Sequence, residues 1–449
     1  MIKSRLFVLI LIAGLAWIQS NDALAGGFEG PGVGVRALTM GGAFIGLADD
    51  WTAFTWNPAG LAQLQGNGGG VSMDYVQAKA SDGNSVANSY LENVPAMVPG
   101  PRMDTNQRDV FFQYPDQTGQ PTEPLVFQKK DVESTVYLPT LGGYTQFKGL
   151  TIAGGIYVPM GYASEWTDTV SNVTGTYKIE SYETVGNISV AKKVLPNLML
   201  GGGLNLVSWN LEKHAKKITP AYNYNSDIQA DGSDFEGVIG GIYSPLANLR
   251  IGFVYKTGSK IDLKGAAKTT YPYPSTSTPP FAAMSEASDL TMLQRLPATY
   301  GLGIAWRPMP ALVLTMDWNR TDWSKQEDKI DFTTPSQQGF LTEEALGKDK
   351  SLGWKDTSKI RLGTEYKLNQ DWTLRAGFFT DPSPVPDKAV SLTNLIDLDR
   401  TFQVIGAGYS YGNWQFDLGL LYTTADKTID GVKYERSSDS LHIASSYRF

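Results

Sequence analysis

Apolar and polar residues alternate with a period of two along most of this chain. In "NWQFDLGLLY", Trp414, Phe416, Leu418, Leu420 and Tyr422 share one face, and Gln415, Asp417 and Gly419 share the other. "ALVLTMDWN" sets Leu312, Leu314, Met316 and Trp318 against Val313, Thr315, Asp317 and Asn319. "DWTLRAGF" does the same with Trp372, Leu374 and Phe378 against Thr373, Arg375 and Gly377. A period of two is the mark of a strand with two unlike faces. The pattern predicts fourteen strands: 69–79, 133–147, 150–160, 180–193, 197–211, 233–243, 248–262, 290–306, 311–324, 355–368, 370–380, 399–411, 413–424 and 438–449.

The connections alternate in length. "FKGL", "VLPN", "SPLAN", "RPMPA", "LNQD" and "YGN" are short, whereas 80–132, 161–179, 212–232, 263–289, 325–354, 381–398 and 425–437 are long. Short turns on one rim and long loops on the other are the arrangement of an outer-membrane barrel. An even strand number brings both ends of the barrel to the periplasmic side. A soluble sandwich would also alternate. Three features favour the barrel: uniformly short turns on one side, aromatics near strand ends as in an interfacial girdle, and a last strand closing on Phe449. In "SLHIASSYRF", Leu441, Ile443, Tyr447 and Phe449 share a face. This ending resembles the recognition signal of the barrel assembly machinery.

Composition narrows the field further. After the N-terminus no apolar run is long enough for a spanning helix, while Gly (47), Tyr (22) and Trp (11) are plentiful, as in a transmembrane barrel. Residues 1–25 read as a signal peptide: Lys3 and Arg5, the apolar run from Leu6 to Ile18, and Ala23-Leu24-Ala25 as the cleavage site. That segment carries Lys3, Arg5 and Asp22, a net of +1, so its removal takes the formal charge from −7 to −8. An acidic chain is a poor nucleic-acid binder. With no cysteine and only His214 and His442, disulfides, thiolate chemistry and zinc are not expected, and no metal or cofactor is implied.

Residues 26–68 break the alternation. Asn57 is a good N-cap and Pro58 fits the first helical position, so "NPAGLAQL" reads as a helical turn. Leu38, Phe44, Ile45, Trp51, Phe54 and Trp56 need burial in a segment too small for its own core. Two readings remain: a hatch folded into the barrel lumen, or a periplasmic arm docked on a partner. The chain therefore divides into a signal peptide (1–25), a hatch (26–68) and a transmembrane barrel (69–449).

"GVGVRALTMGGAFIGLADD" followed by "NPAGL", with "GIYVPMGYASEW", "RLPATYGLGIAWRP", "MDWNRTDWS", "KIRLGTEYKLNQDWTLRAGFFTDPSPVPD" and the final "SSYRF", resembles the FadL/TodX (OmpP1) family of outer-membrane transporters. The likeness extends over nearly the whole mature chain. It implies an all-β, monomeric, fourteen-stranded antiparallel barrel plugged by a hatch with short helices. The hatch motif would be Asn57, Pro58, Ala59 and Gly60. Long-chain fatty acids or aromatic hydrocarbons would enter an extracellular apolar groove and leave sideways through the wall. In the family a kink in the third strand makes that exit, and Pro159 and Gly161 match the region.

The residues themselves leave several sites open. Pro159 and Gly161 either unpair the wall or mark the end of the strand at Val158. Phe281, Met284, Leu290 and Met292 form an irregular apolar stripe that either borders the capture groove or packs on the rim. Alternation points Arg250, Arg361, Arg375 and Arg400 into the lumen, with Glu365 placed to join Arg361 and Arg375. These cations either brace the wall or hold a carboxylate headgroup.

Two motifs fail their context. "GVGVRA" fits a dinucleotide fingerprint but follows no strand of a βαβ unit. "DIQADGSDFE" misses the calcium-loop spacing and reads as a solvated extracellular loop. No nucleotide motif or G-x-S-x-G is present. The expected function is passive transport of hydrophobic small molecules, not catalysis, in a Gram-negative outer membrane among its lipids and lipopolysaccharide. The alternative is a non-transporting barrel that acts as an adhesin.

Overall fold

The computed structural model describes residues 30–82, 130–170, 173–218, 223–271, 284–328, 330–332, 350–351, 353–390 and 397–449. The expected signal peptide and Phe281 lie outside these described residues. Fourteen antiparallel strands cross in sequence order. They are β1 Gly68–Asp82, β2 Lys130–Phe147, β3 Leu150–Val170, β4 Val173–Leu195, β5 Leu198–Ile218, β6 Asn223–Leu246, β7 Leu249–Lys256 with Ser259–Tyr271, β8 Met284–Leu296 with Thr299–Met309, β9 Leu312–Thr321, β10 Thr357–Lys367, β11 Trp372–Asp381, β12 Arg400–Tyr411, β13 Trp414–Ile429 and β14 Val432–Arg448. β1 pairs with β2 on one side and β14 on the other, so the sheet closes on itself and the barrel has no free edge.

Turn chemistry accounts for the short rim. Lys148-Gly149 joins β2 to β3 with φ of 50° and 76°, both left-handed as a two-residue hairpin matched to sheet twist requires. Outside, Ile156 and Ile188 are each 60 % exposed and Leu141 is 58 % exposed. Such apolar exposure suits hydrocarbon rather than water.

Several expected loops are in fact strand. β3 to β6 run for 21, 23, 21 and 24 residues, against 10, 11, 10 and 12 for β9 to β12. The wall is therefore tall on one side and low on the other. Residues 161–170, 173–179, 212–218 and 223–232, read as loop, continue the tall wall beyond the length a bilayer needs. Their outward faces carry charges such as Lys178 and Glu180, suited to water, so the lipid-type alternation fades while the ladder persists. "DIQADGSDFE" lies within β6 and is not a solvated loop. Likewise 425–437 is a hairpin turning on Asp430-Gly431, with φ of 51° and 83°. Residues 284–293 of the predicted stripe belong to β8.

Residues 30–67 enter the lumen as an irregular plug. It contains α1 (Val35–Thr39), α2 (Ala53–Trp56) and a 3-10 turn, Pro58–Gln63. Asn57 caps that turn, its side chain accepting from Ala59 N at 3.1 Å, with Pro58 at the first position. Phe44, Phe54, Leu38, Leu47 and Leu61 are almost completely buried.

The wall admits this plug through glycine. Inward positions on many strands lack a side chain where the plug touches: Gly142 faces Phe54, Gly201 faces Pro58, Gly252 faces Ile45, and Gly406 faces Thr39. A Cβ at Gly240 would overlap Asn57 Oδ1, and one at Gly377 would overlap Gly41 N. Gly240→Val is therefore expected to cost about 1–3 kcal/mol of overpacking and to loosen the plug while leaving the barrel ladder intact. Limited proteolysis checks this: cleavage near residues 57–60 with the barrel still resistant is the expected result.

Candidate functional site

Polar contacts pin the plug to the wall, and four of them hold its central part. Asn57 Nδ2 donates to Ile45 O at 2.9 Å and to Gly241 O of β6 at 3.3 Å. Asp317 of β9, fully buried, accepts from Ile45 N at 2.7 Å. Arg361 of β10 donates from Nη1 to Pro31 O at 3.0 Å and Gly41 O at 3.2 Å. Its guanidinium lies 4.6 Å over the Phe379 ring. The fourth contact is ionic. Arg36 grips Glu365 with two nitrogens, at 2.8 and 2.9 Å, and reaches Asp49 at 2.6 Å. Glu365 also binds Arg375 at 2.7 Å, and Arg375 binds Asp417 at 2.6 Å.

This corrects one expectation. Glu365 joins Arg375 as expected, but its second cation is Arg36 of the plug, and Arg361 turns to plug carbonyls. Arg250 lies 3.6 Å from Asp49. Burial opposes the charge on Arg36, but Asp49 and Glu365 more than offset it and hold its pKa well above the ordinary value. For Asp50 burial wins: it raises the carboxyl, and Arg36 and Thr52 counter only part of the shift.

Above the plug lies a cavity of about 370 Å³. Val136, Leu138, Ile179, Trp209 and Leu211 give it apolar walls. Val385 and Trp354 line it from segments between strands, and Val385, Val390 and Leu398 pack against Tyr177, Ile179 and Tyr434 of the wall. The "SPVPD" segment thus helps to roof the lumen. Three charged groups reach the cavity: Arg400, Arg436 and Asp397. Arg400 is tied to Asp381 at 2.7 Å, and Asp381 also serves Lys359 at 2.8 Å. One carboxylate between two cations leaves positive charge in excess. Arg436 has a buried Nε with no hydrogen-bond partner, and no carboxylate is in ion-pair contact with it among the described residues. Arg436 was not foreseen because it sits in what reads as the loop 425–437. The inward series Tyr434, Arg436, Ser438 was the available signal.

The cavity meets the wall where β2 and β3 part. Their ladder ends at Thr140↔Tyr157, although β2 continues to Lys130 and β3 to Val170. β3 does not stop at Val158. It bulges against β4 between Tyr157 and Met160, at Pro159, which has no N–H to give. Leu138, Pro159, Met160 and Gly161 all line the cavity at this parting. A Cβ at Gly161 would meet Tyr182 at 2.7 Å and Leu138 at 3.1 Å. The first described residue of the plug also reaches this point, since a Cβ at Gly30 would overlap Pro159 O.

A second interruption, between β6 and β7, is sealed. There Thr257 N donates to Gly237 O at 3.0 Å, Gly237 N donates to Thr257 Oγ1 at 3.0 Å, and Lys260 N donates to Asp234 Oδ2 at 2.9 Å. Of the expected capture stripe, Met284 begins β8, Leu290 is buried, and Met292 packs against the interior cluster. The described part of the stripe is therefore wall and not a surface segment.

The roof contains a titrating group. Burial pushes Asp399 up to about 6, only partly opposed by Lys427. Asp399 Oδ1 accepts from Ser383 N at 2.8 Å. A raised carboxylate pKa means the folded segment holds the proton more tightly than the unfolded one. The Asp399 contribution therefore favours the packed roof below the ordinary carboxylate range and fades as pH rises through about 6. Hydrogen exchange at Ser383–Val390, corrected for intrinsic rate, is expected to be faster at pH 7.5 than at pH 5, with Asp399→Asn removing the difference.

Residues 16–447 match the profile of a family described as outer membrane protein transport protein (OMPP1/FadL/TodX). The chain is 25 % identical over 207 residues to a long-chain fatty acid transport protein of Escherichia coli O6:H1, an alignment spanning 44 % of each chain. It is 24 % identical over 365 residues to a 47 kDa outer membrane protein of Pasteurella multocida, spanning 73 % of this chain and 81 % of that one. Among solved structures, a Pseudomonas aeruginosa FadL homologue superposes with a TM-score of 0.68 at 19 % identity, covering 94 % of this chain and all of that one. The P. putida toluene transporter TodX superposes with a TM-score of 0.67 at 15 % identity, covering 93 % and 99 %.

Proposed function

The chain belongs to the OMPP1/FadL/TodX family of outer-membrane transport proteins, and on that premise we propose that it carries hydrophobic carboxylic acids from the lumen cavity sideways into the membrane. The observation that carries this reading is the parting of β2 from β3 beside a largely apolar cavity whose charged groups are Arg400, Arg436 and Asp397. An apolar solute gains affinity by leaving water for the cavity walls. Its carboxylate meets the guanidinium of Arg436, which lines the cavity and has no ion pair among the described residues, a charge-assisted contact that an uncharged hydrocarbon does not make. The four foreseen arginines already have partners, which supports bracing as their role. Among the described residues no side-chain bridge like that between β6 and β7 spans the gap, so a solute there crosses few wall hydrogen bonds. The plug closes the direct route to the periplasm, with Gly30 and Pro31 against the gap as the gating element. Passage is downhill. The fatty-acid name of the E. coli relative agrees with a carboxylate headgroup, and the toluene name of TodX makes the uncharged class the natural comparison.

Uptake by cells lacking other such channels tests this with radiolabelled oleate, its alcohol analogue and toluene. Oleate is expected to enter best. Arg436→Leu should reduce the oleate-over-alcohol preference by about tenfold, the scale of one hydrogen bond to a charged group. Uptake of none of the three would put the adhesin reading ahead.

The lateral route has its own test. Pro159→Val with Gly161→Val restores a donor to β3 and fills the space beside Leu138 and Tyr182. This double variant should bind oleate in detergent as wild type does yet pass it more slowly in cells. Normal uptake by the double variant would remove the lateral opening from the mechanism.

A further inference from the structure

The outer wall carries a concavity of about 540 Å³ across β11, β12, β13, β14 and β1. It lies on the lipid side, where no segment of the plug reaches. Two cross-strand rows of outward residues in register build it. The lower row runs Ala376↔Ile405↔Leu420↔Leu441↔Tyr75. Ala376 makes the depression, because its neighbours in the row are all larger. The upper row runs Phe378↔Gln403↔Tyr422↔Asp439↔Gln77. It is apolar at one end and then presents two amides, a phenol and a carboxylate. The side chains of Gln403, Asp439 and Gln77 make no hydrogen bond or ion pair among the described residues.

The position of the upper row fixes what surrounds it. Gln403, Tyr422, Asp439 and Gln77 stand eight or nine residues from the periplasmic ends of their strands at Tyr411, Trp414, Arg448 and Gly68, close to the ~9–11 residues of one membrane crossing. The row is therefore at the outer edge of the hydrocarbon, and the apolar row beneath it is within the outer leaflet. Whatever fills the concavity is an acyl chain, and whatever meets the rim is the root of that chain.

The rim chemistry distinguishes one lipid from another. An ionised carboxylate only accepts hydrogen bonds. Asp439 thus calls for a lipid that offers O–H or N–H donors where its chains begin. Ester-linked phospholipids offer only acceptors there. Sugar-linked hydroxyacyl chains with amide linkages, as in lipopolysaccharide, offer both kinds of donor. We infer that the concavity over β11 to β1 is a docking site for one acyl chain of lipopolysaccharide, with Asp439 and Gln403 accepting from its hydroxyl or amide groups.

Native mass spectrometry of the detergent-purified full-length protein tests the inference, with deep-rough lipopolysaccharide and phosphatidylglycerol supplied at equal concentration. Wild type should retain one lipopolysaccharide with about tenfold preference, the equilibrium value of one hydrogen bond to a charged group. Asp439→Leu with Gln403→Leu should bring the preference to near unity. Ala376→Leu fills the floor while leaving the rim and the lipid-facing character unchanged. It should lower retention of lipopolysaccharide and is the independent check should the rim variant fold poorly. Heat-dependent gel migration confirms that each barrel is closed. Equal retention of the two lipids by wild type, or a preference unchanged in the folded variants, overturns the inference.

Discussion

An irregular chain buried inside a barrel must find partners for its backbone N–H and C=O groups without a ladder and with little water. Each unmet group costs about 1–3 kcal/mol, so a plug with three short helical pieces is unstable unless the wall answers it. Here the wall supplies Asp317 for the amide of Ile45, Arg361 for the carbonyls of Pro31 and Gly41, and Gly241 for Asn57. These contacts require the plug backbone to come within hydrogen-bond distance of strands. Inward glycines make that approach possible, as the overlap at Gly240 and Gly377 shows. The glycine content of the chain is thus partly a property of the lumen and not of turns alone.

Once the plug is fixed, the remaining lumen space is set by the wall's unequal height. The tall strands β3 to β6 bring Ile179, Trp209 and Leu211 above the plug, and the low side is completed by Trp354 and by Val385 from between strands. The two interruptions of the wall differ in kind. At β6–β7 side chains replace the missing ladder bonds. At β2–β3 a proline without a donor and a glycine without a side chain leave the strands apart. The contrast separates a bridged interruption of the ladder from one that the described residues leave unbridged.

Much of this was legible in the sequence, and the parts that were not share a cause. The fourteen strands and their order follow from alternation, because lipid outside and polar lumen inside give each strand two unlike faces. Asn57-Pro58 was legible because capping is local chemistry. The strand extensions were hidden because water on both faces removes the hydrophobic contrast, as at Lys178 and Glu180. That also concealed Arg436, which lies on the inner face of such an extension. Arg361 was correctly placed inward, but its partners are carbonyls of an irregular segment more than three hundred residues away, and no periodicity reports on those. The pairing of Glu365 with Arg375 came from neighbouring strands, and its pairing with Arg36 from the plug.

The seam of the barrel joins Gly68 to Arg448, the first strand to the last. The plug directly precedes Gly68 and touches inward residues on strands from β1 to β13. Closure therefore depends on contacts of the highest sequence separation the chain can make, and such contacts form late and slowly. A plug this closely fitted cannot be threaded into a finished cylinder. It has to be present while the sheet is still open, so that the wall curls around it. The same residues that block the lumen in the finished protein then act as the mandrel on which the cylinder is formed.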